Sequence, residues 1–246
     1  MPSSELLRLK LDALVTVNIP LTLAAKKQTT TVPIVFVVAG DSDPVAFGVV
    51  PSLSRPGGNI TGFMTAGPEF VGKRLQILKE AVPGIARVAF LGLASEWNSA
   101  EGRSAQAAAK TLGIAISFAE AGANDYSAAF EAIRRQQADA ILVGGHGGHY
   151  THRAAIVEFA ARHRLPDMHA FTLNAEAGGL MAYGSQAQHW PRAASYADRI
   201  FKGAKPGDLP VQQPTTFTLV INRKAARERG LKIPASVLLR ADRVIE

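Results

Sequence analysis

The chain has 246 residues, of which 47% are hydrophobic and 19% are charged, an ordinary globular composition that suffices for two small lobes or one large domain. Its 27 Lys and Arg residues exceed its 20 Asp and Glu residues, so the formal net charge is +7. The basic residues are scattered singly and only 7% of residues are aromatic, so we expect no nucleic-acid partner. The absence of cysteine excludes disulfides, thiol catalysis and cysteine-based zinc sites.

The first residues do not have the pattern of an export signal. Residues 1–10 read MPSSELLRLK, which contains neither a basic n-region nor an apolar h-region. No stretch of the sequence approaches the roughly 18 uninterrupted apolar residues of a membrane-spanning helix. We therefore expect no membrane insertion.

Short apolar runs alternate with segments of helical spacing along the chain. Runs typical of buried strands lie at 12–17, 34–38, 59–64, 88–91, 114–118, 140–143, 168–171, 180–183 and 215–221. Helices are predicted at 5–10, 23–27, 68–81, 97–112, 126–137, 149–163, near 174, 187–201, 222–229 and 234–244, with a further helix start at Pro44. This alternation predicts an α/β fold with parallel sheets flanked by helices.

The stretch 32–62 combines a buried strand with a polar turn. The apolar run 34–38 is followed by Asp41 and Asp43, and a turn signal at 55–59 precedes the next strand. In open α/β sheets, ligands bind outside the carboxyl ends of the strands. Both aspartates are therefore candidate ligand-binding residues.

The same stretch resembles a known family. Residues 40–62, GDSDPVAFGVVPSLSRPGGNITG, are similar to the signature region of ABC transporter substrate-binding proteins of the tryptophan/tyrosine type, which has a strand, GDPV, a short helix ending in SLARPGGN, and then ITG. A Ser-Asp insertion turns GDPV into GDSDPV here, which leaves open whether Asp41 or Asp43 takes the family position. The resemblance continues through 72–80, 162–166, 175–184, 202–206 and 241–245, nearly the whole chain.

The resemblance implies a two-lobed periplasmic-binding-protein-like fold of type I. Lobe one would comprise 1–62 with parts of 185–246, lobe two 63–184, and the hinges would lie near 62–67, 183–185 and 213–216. Family members normally begin with an export signal and a first β-α-β-α stretch, so we expect a truncated start and an incomplete first lobe.

The resemblance also implies a function. The chain would be the solute-binding component of an ABC-type importer, closing its lobes around a small amino-acid-like solute in the cleft. Its partners would be this small-molecule ligand and the permease subunits of the transporter. The protein would be periplasmic and would need no cofactor.

The candidate ligand-binding residues lie at predicted strand ends or in the loops that follow: Thr16, Asn18, Asp41, Asp43, His146, Tyr150, Phe171, Glu176 and Tyr183. An aspartate or Glu176 would meet the ammonium of the ligand. Thr16 and Asn18 either donate to its carboxylate or simply cap loops. Phe171 and Tyr183 would stack on an apolar side chain, although a core role is also open for Phe171.

Two patterns could indicate other functions. Residues 67–74, GPEFVGKR, nearly form a nucleotide-binding P-loop, but Arg74 stands where the metal-binding hydroxyl should be. Histidines 146, 149 and 152 could hold Zn²⁺ or Cu²⁺, yet no carboxylate accompanies them until Glu158. No nucleophile motif G-x-S-x-G is present. We therefore expect no enzyme activity, catalytic residue or metal site. The alternatives are a small-molecule-metabolising α/β enzyme and a ligand sensor with this fold.

Overall fold

The computed structural model describes residues 9–38, 43–64, 67, 69–185 and 189–246. The strands are β1 (Leu14–Thr16), β2 (Ile34–Val38), β3 (Ile60–Met64), β4 (Arg87–Gly92), β5 (Ala115–Glu120), β6 (Ala140–Val143), β7 (Asp167–His169), β8 (Met181–Ser185), β9 (Phe217–Asn222) and β10 (Arg243–Ile245). The α-helices are α1 (Ile19–Gln28), α2 (Glu69–Ala81), α3 (Ala94–Trp97), α4 (Ala100–Leu112), α5 (Ser127–Arg135), α6 (Gly147–Thr151), α7 (Arg153–Arg162), α8 (Thr172–Glu176), α9 (His189–Phe201), α10 (Arg223–Glu228) and α11 (Ala235–Leu238).

The chain divides into two compact units. Unit 1 comprises Met1–Gly67 and Ala187–Thr215, and unit 2 comprises Pro68–Gln186 and Thr216–Glu246. The chain therefore passes from one unit to the other three times.

Unit 1 contains a three-stranded parallel sheet in the order β1-β2-β3. Its central strand β2 is apolar on both faces, as expected for a strand that helices cover on both sides. Ile19 of α1 packs with Phe36 on one face, while Tyr196 of α9 packs with Val35 on the other.

Unit 2 contains a seven-stranded sheet in the order β10-β9-β8-β7-β6-β4-β5. Every neighbouring pair is parallel except β8 and β9, which are antiparallel. Helices α2 and α4 pack on one face, and α5 and α7 pack on the other. The predicted α/β class with parallel sheets flanked by helices is confirmed. Among the described residues, no helix is both long and apolar enough to cross a membrane.

Four local predictions were wrong. The predicted terminal helix ends early, and β10 pairs with β9 instead, where Asp242 accepts a hydrogen bond from the Leu219 amide at 2.7 Å. Residues 44–48 form turns rather than a helix. The helix predicted at 97–112 begins only at Ala100, because Ser99 caps α4. The helix predicted at 149–163 is two helices, because His152 separates α6 from α7.

Candidate functional site

Glu96 organises the carboxyl-terminal edge of the unit 2 sheet. It follows β4, and its buried carboxylate accepts hydrogen bonds from the amides of Leu93 and His146, each at 2.8 Å. The Nε2 atom of His149 lies 2.7 Å from the same carboxylate. Because β4 and β6 are neighbours, one side chain fastens the loop after β6 to the end of the adjacent strand.

His149 extends this arrangement to a third element. Its ring is fully buried, and Nδ1 lies 2.7 Å from the Tyr126 hydroxyl. A carboxylate only accepts, so Nε2 of His149 carries a proton and donates to Glu96, while Nδ1 shares a hydrogen bond with the Tyr126 hydroxyl. Glu96, His149 and Tyr126, here called the buried triad, thus satisfy one another.

Burial and charge shift two acidities in the buried triad. Burial acts to raise the pKa of Glu96, but the His149 imidazole and the hydrogen bonds that the carboxylate accepts hold it below its usual value. Burial, and then the charge of Glu96, raise the pKa of Tyr126 to about 12. Glu96 is therefore ionised and Tyr126 is protonated at neutral pH.

A buried ion pair also holds the loop after β6. Arg74 and Glu101, 2% and 1% exposed, are joined by a 2.9 Å contact. Arg74 also donates to the Val143 carbonyl at 3.3 Å, and Glu101 accepts from the Gly145 amide at 3.4 Å. Two buried carboxylates, Glu96 and Glu101, therefore position the backbone from the end of β6 into α6.

The structure brings together two of the predicted site residues, Tyr150 and Phe171. They lie in α6 and at the start of α8, which follow the adjacent strands β6 and β7, and their ring centroids are 5.8 Å apart. The guanidinium of Arg153 lies 4.4 Å from the Tyr150 ring centroid. Half-buried His146 begins α6, where its Nδ1 accepts from the Gly148 amide at 3.1 Å.

Tyr183 belongs to a different aromatic cluster. Its ring centroid lies 5.8 Å from Phe217 and 6.4 Å from Phe70, and Phe70 and Phe217 stack at 3.7 Å. Burial, and then the charge of Asp242, raise the pKa of Tyr183. Its role in ligand binding stays a prediction.

Glu176 lies at the end of α8, away from Phe171 at its start. It pairs with Arg243 of β10 at 2.5 Å, and both side chains are at least one-third exposed. Any ligand ammonium would have to compete with this arginine.

The candidate residues of unit 1 make local hydrogen bonds. The Thr16 hydroxyl lies 2.7 Å from that of Thr22, Asn18 caps α1 by accepting from the Leu21 amide at 2.8 Å, and Asp43 accepts from the Val45 amide at 2.8 Å. The Asn18 bond is a helix cap, as one alternative for this residue predicted. Ligand binding by Thr16, Asn18 and Asp43 stays a prediction. The remaining candidate, Asp41, lies outside the described residues.

The three spaced histidines have separate partners. His149 belongs to the buried triad, His146 caps α6, and Nδ1 of His152 lies 3.0 Å from the Gly148 carbonyl. Within the described ranges, no group of three or more His, Cys, Asp or Glu side chains is arranged to hold a metal ion.

Sequence reasoning missed the buried acids, although one pattern could have indicated the ion pair. Arg74 lies three residues after Val71 and four before Leu78, on the apolar stripe of α2. Glu101 lies four residues before Ala105, on the buried face of α4. Opposite charges on the apolar faces of two helices predict a buried pair. Glu96 and Tyr126 carry no comparable signal.

Comparisons with known proteins place the chain in a family. A family model described as ABC transporter substrate binding protein matches residues 3–245. No curated protein matches the chain.

Solved structures share the fold over almost the whole chain. A conserved domain protein from Vibrio cholerae O1 biovar El Tor strain N16961 is 28% identical, with a TM-score of 0.85, over 98% of this chain and 81% of that one. An ABC domain in complex with L-Trp from Streptococcus pneumonia is 26% identical, with a TM-score of 0.83, over 99% of this chain and 84% of that one. A ligand-free substrate binding protein with adhesive properties from Clostridium difficile, 21% identical with a TM-score of 0.65, shares the fold over 99% of this chain and 81% of its own. With a family match that spans residues 3–245, the chain belongs to the ABC transporter substrate binding protein family.

Proposed function

We propose that this protein binds an amino-acid-like solute, without chemical turnover, as the solute-binding component of an ABC-type importer. The family match over residues 3–245 carries this proposal. The similarity to a structure that contains L-Trp supports an amino acid as the class of solute. The protein would act outside the cytoplasmic membrane and deliver its solute to the permease subunits.

Tyr150 and Phe171 are the residues that we assign to the apolar part of the solute. Both are half-buried, and their rings meet at the ends of two adjacent parallel strands. Such edges are the usual ligand sites of open α/β sheets. Aromatic rings offer a large apolar contact area with little loss of conformational entropy. An aromatic or large apolar side chain on the solute would complement them.

The test is a thermal-shift screen of the common L-amino acids, followed by calorimetric titration of those that stabilise the protein. We expect an aromatic amino acid, with L-tryptophan as the first probe, to raise the melting temperature by mass action. Mass spectrometry should recover it chemically unchanged. The absence of any stabilising amino acid, or the appearance of a product, would overturn the proposal.

Variants connect binding to the assigned rings. We expect Phe171→Ala to weaken binding about tenfold, because the lost contact is an aromatic anchor. Phe201→Ala is the matched control, since Phe201 is 62% exposed at the end of α9 in the other unit. Equal effects of the two variants would contradict the assignment.

A further inference from the structure

Arg153 is a partly buried cation beside Tyr150, one member of the aromatic pair described above. It begins α7, and its guanidinium carbon lies 4.4 Å from the centroid of the Tyr150 ring. Its Nη1 donates to the Tyr150 carbonyl at 2.9 Å. A guanidinium has five N–H donors, so this single hydrogen bond leaves most of them available.

Arg153 differs from the other shielded arginines of unit 2 in its lack of an acidic partner. The buried side chains of Arg74 and Arg229 are paired with Glu101 and Asp167 respectively. Among the residues that the structure describes, no carboxylate forms an ion pair with Arg153. Because shielding a charge from water costs free energy unless the charge is paired, a cation placed this way suits an anionic partner.

The nearby acids do not supply that partner. The Glu96 carboxylate is turned into the protein, where it accepts from two amides and His149. Glu101 is likewise enclosed with Arg74. The two side chains that contact the Tyr150 ring are aromatic Phe171 and cationic Arg153 in the described part of the chain. A solute whose apolar part lies on Tyr150 and Phe171 would bring an attached carboxylate within reach of Arg153.

We infer that Arg153 binds the carboxylate of the solute and so selects acids over their neutral analogues. This inference rests on the proposed function and adds a residue and a chemical class to it. A planar guanidinium held over a ring and bonded to a backbone carbonyl is positioned before binding, and it can donate two parallel hydrogen bonds to a carboxylate. The ammonium group of lysine is not planar and cannot donate two parallel hydrogen bonds in this way.

The experiment measures the affinity of the full chain for L-tryptophan and for L-tryptophanamide by titration. Any other amino acid that the screen identifies is compared with its own carboxamide in the same way. Wild type should bind the acid at least about tenfold more tightly than the amide, as expected for a charge-assisted pair. Arg153→Gln should bind the acid about tenfold more weakly while its affinity for the amide changes less than about threefold. Arg153→Lys should fall between wild type and Arg153→Gln.

The matched control is Arg162→Gln, the same change on the same helix, at an exposed arginine paired with Glu158. It should leave both affinities unchanged, and its melting temperature gives the reference for correct folding of Arg153→Gln. If an amino acid binds but Arg153→Gln and wild type discriminate equally between acid and amide, this inference fails alone. If no amino acid binds to wild type, the proposed function fails and this inference fails with it.

Discussion

Tyr126 is the outermost member of the buried triad. Its side chain is 4% exposed, and its hydroxyl lies 2.7 Å from Nδ1 of His149. The imidazole in turn contacts Glu96, which fastens the loop after β6. Removing one hydroxyl from such a chain leaves a buried nitrogen without a partner, and an unpaired buried group costs more than a hydrogen bond gains.

We predict that Tyr126→Phe lowers the free energy of unfolding by about 1–3 kcal/mol at neutral pH, because Nδ1 of His149 then lacks its hydrogen-bond partner. Urea denaturation measures this change. Tyr150→Phe is the control, since the Tyr150 hydroxyl makes no hydrogen bond to another described residue, and it should change the free energy by less than about 0.5 kcal/mol. Equal losses in both variants would show that the His149 contact contributes nothing.

The acidity of Tyr126 predicts a loss of stability in alkali. Its pKa is raised from 10.0 to about 12, so between these pH values the unfolded chain has released a proton that the folded chain retains. The free energy of unfolding therefore falls as pH rises through this window, by about 2–3 kcal/mol in total. Tyr126→Phe should remove this part of the decline, and the ultraviolet absorbance of phenolate should lose its most alkaline step. An unchanged titration in the variant would contradict the assignment.

At the scale of elements, a buried ion pair joins helices α2 and α4 to the loop after β6. Arg74 of α2 and Glu101 of α4 lie on the apolar faces of their helices and meet beneath the end of β6. A pair of this kind need not add net stability, but the loss of one member strands the other charge in the core.

We expect Glu101→Gln to lower the free energy of unfolding by about 3–5 kcal/mol, because Arg74 would keep its charge without a carboxylate. Chemical denaturation measures the loss. Glu158→Gln makes the same change in an exposed i,i+4 pair with Arg162 and should cost less than about 0.5 kcal/mol. The double variant Arg74→Met/Glu101→Leu should be more stable than Glu101→Gln, and a less stable double variant would argue against the stranded charge.

The loop after β6 leaves no room at Gly144. A Cβ atom there would lie 2.4 Å from Oε1 of Glu96 and 2.9 Å from its Cδ. We expect Gly144→Ala to displace Glu96 and to cost about 1–3 kcal/mol. Gly147→Ala is the control at the start of α6, three residues further along the chain, because its Cβ would meet no atom within 4 Å. Thermal unfolding compares the two variants, and equal melting temperatures would refute the steric argument.

At the scale of the whole molecule, β1 is an edge of the three-stranded sheet of the described residues. Val15 is in register with Val35, which α9 covers, yet Val15 itself is 43% exposed. The neighbouring Val17 is 47% exposed. An exposed apolar edge strand is a template for pairing with another chain.

We predict that Val15→Lys lowers concentration-dependent self-association, because an edge lysine opposes strand pairing. Light scattering over a concentration series measures it. Phe201→Lys introduces the same charge at an exposed apolar side chain of a helix, which has no open backbone edge. If both variants reduce association equally, the effect comes from charge or hydrophobicity and not from the strand edge.

The elements that could be predicted from sequence are those with a strong local pattern. The runs 34–38 and 140–143 were expected as strands with the bounds that the structure has. The terminal segment was misassigned because β10 is short and is stabilised as a strand by pairing with β9. Among the candidate site residues, Tyr150 was predicted from its place in the loop after a strand and Phe171 from its place at a strand end. The structure brings their rings together, and ligand binding by them stays a prediction.

The sequence by itself determined the α/β class and the family, because the alternation of apolar runs and the signature region at 40–62 are local patterns of adjacent residues. Only the tertiary structure decided where the acids act. Glu96 meets His149 across 53 positions of sequence, and Arg74 meets Glu101 across 27. The physical reason is that the burial and pairing of a charge depend on neighbours in space, which are set by the order of strands in the sheet.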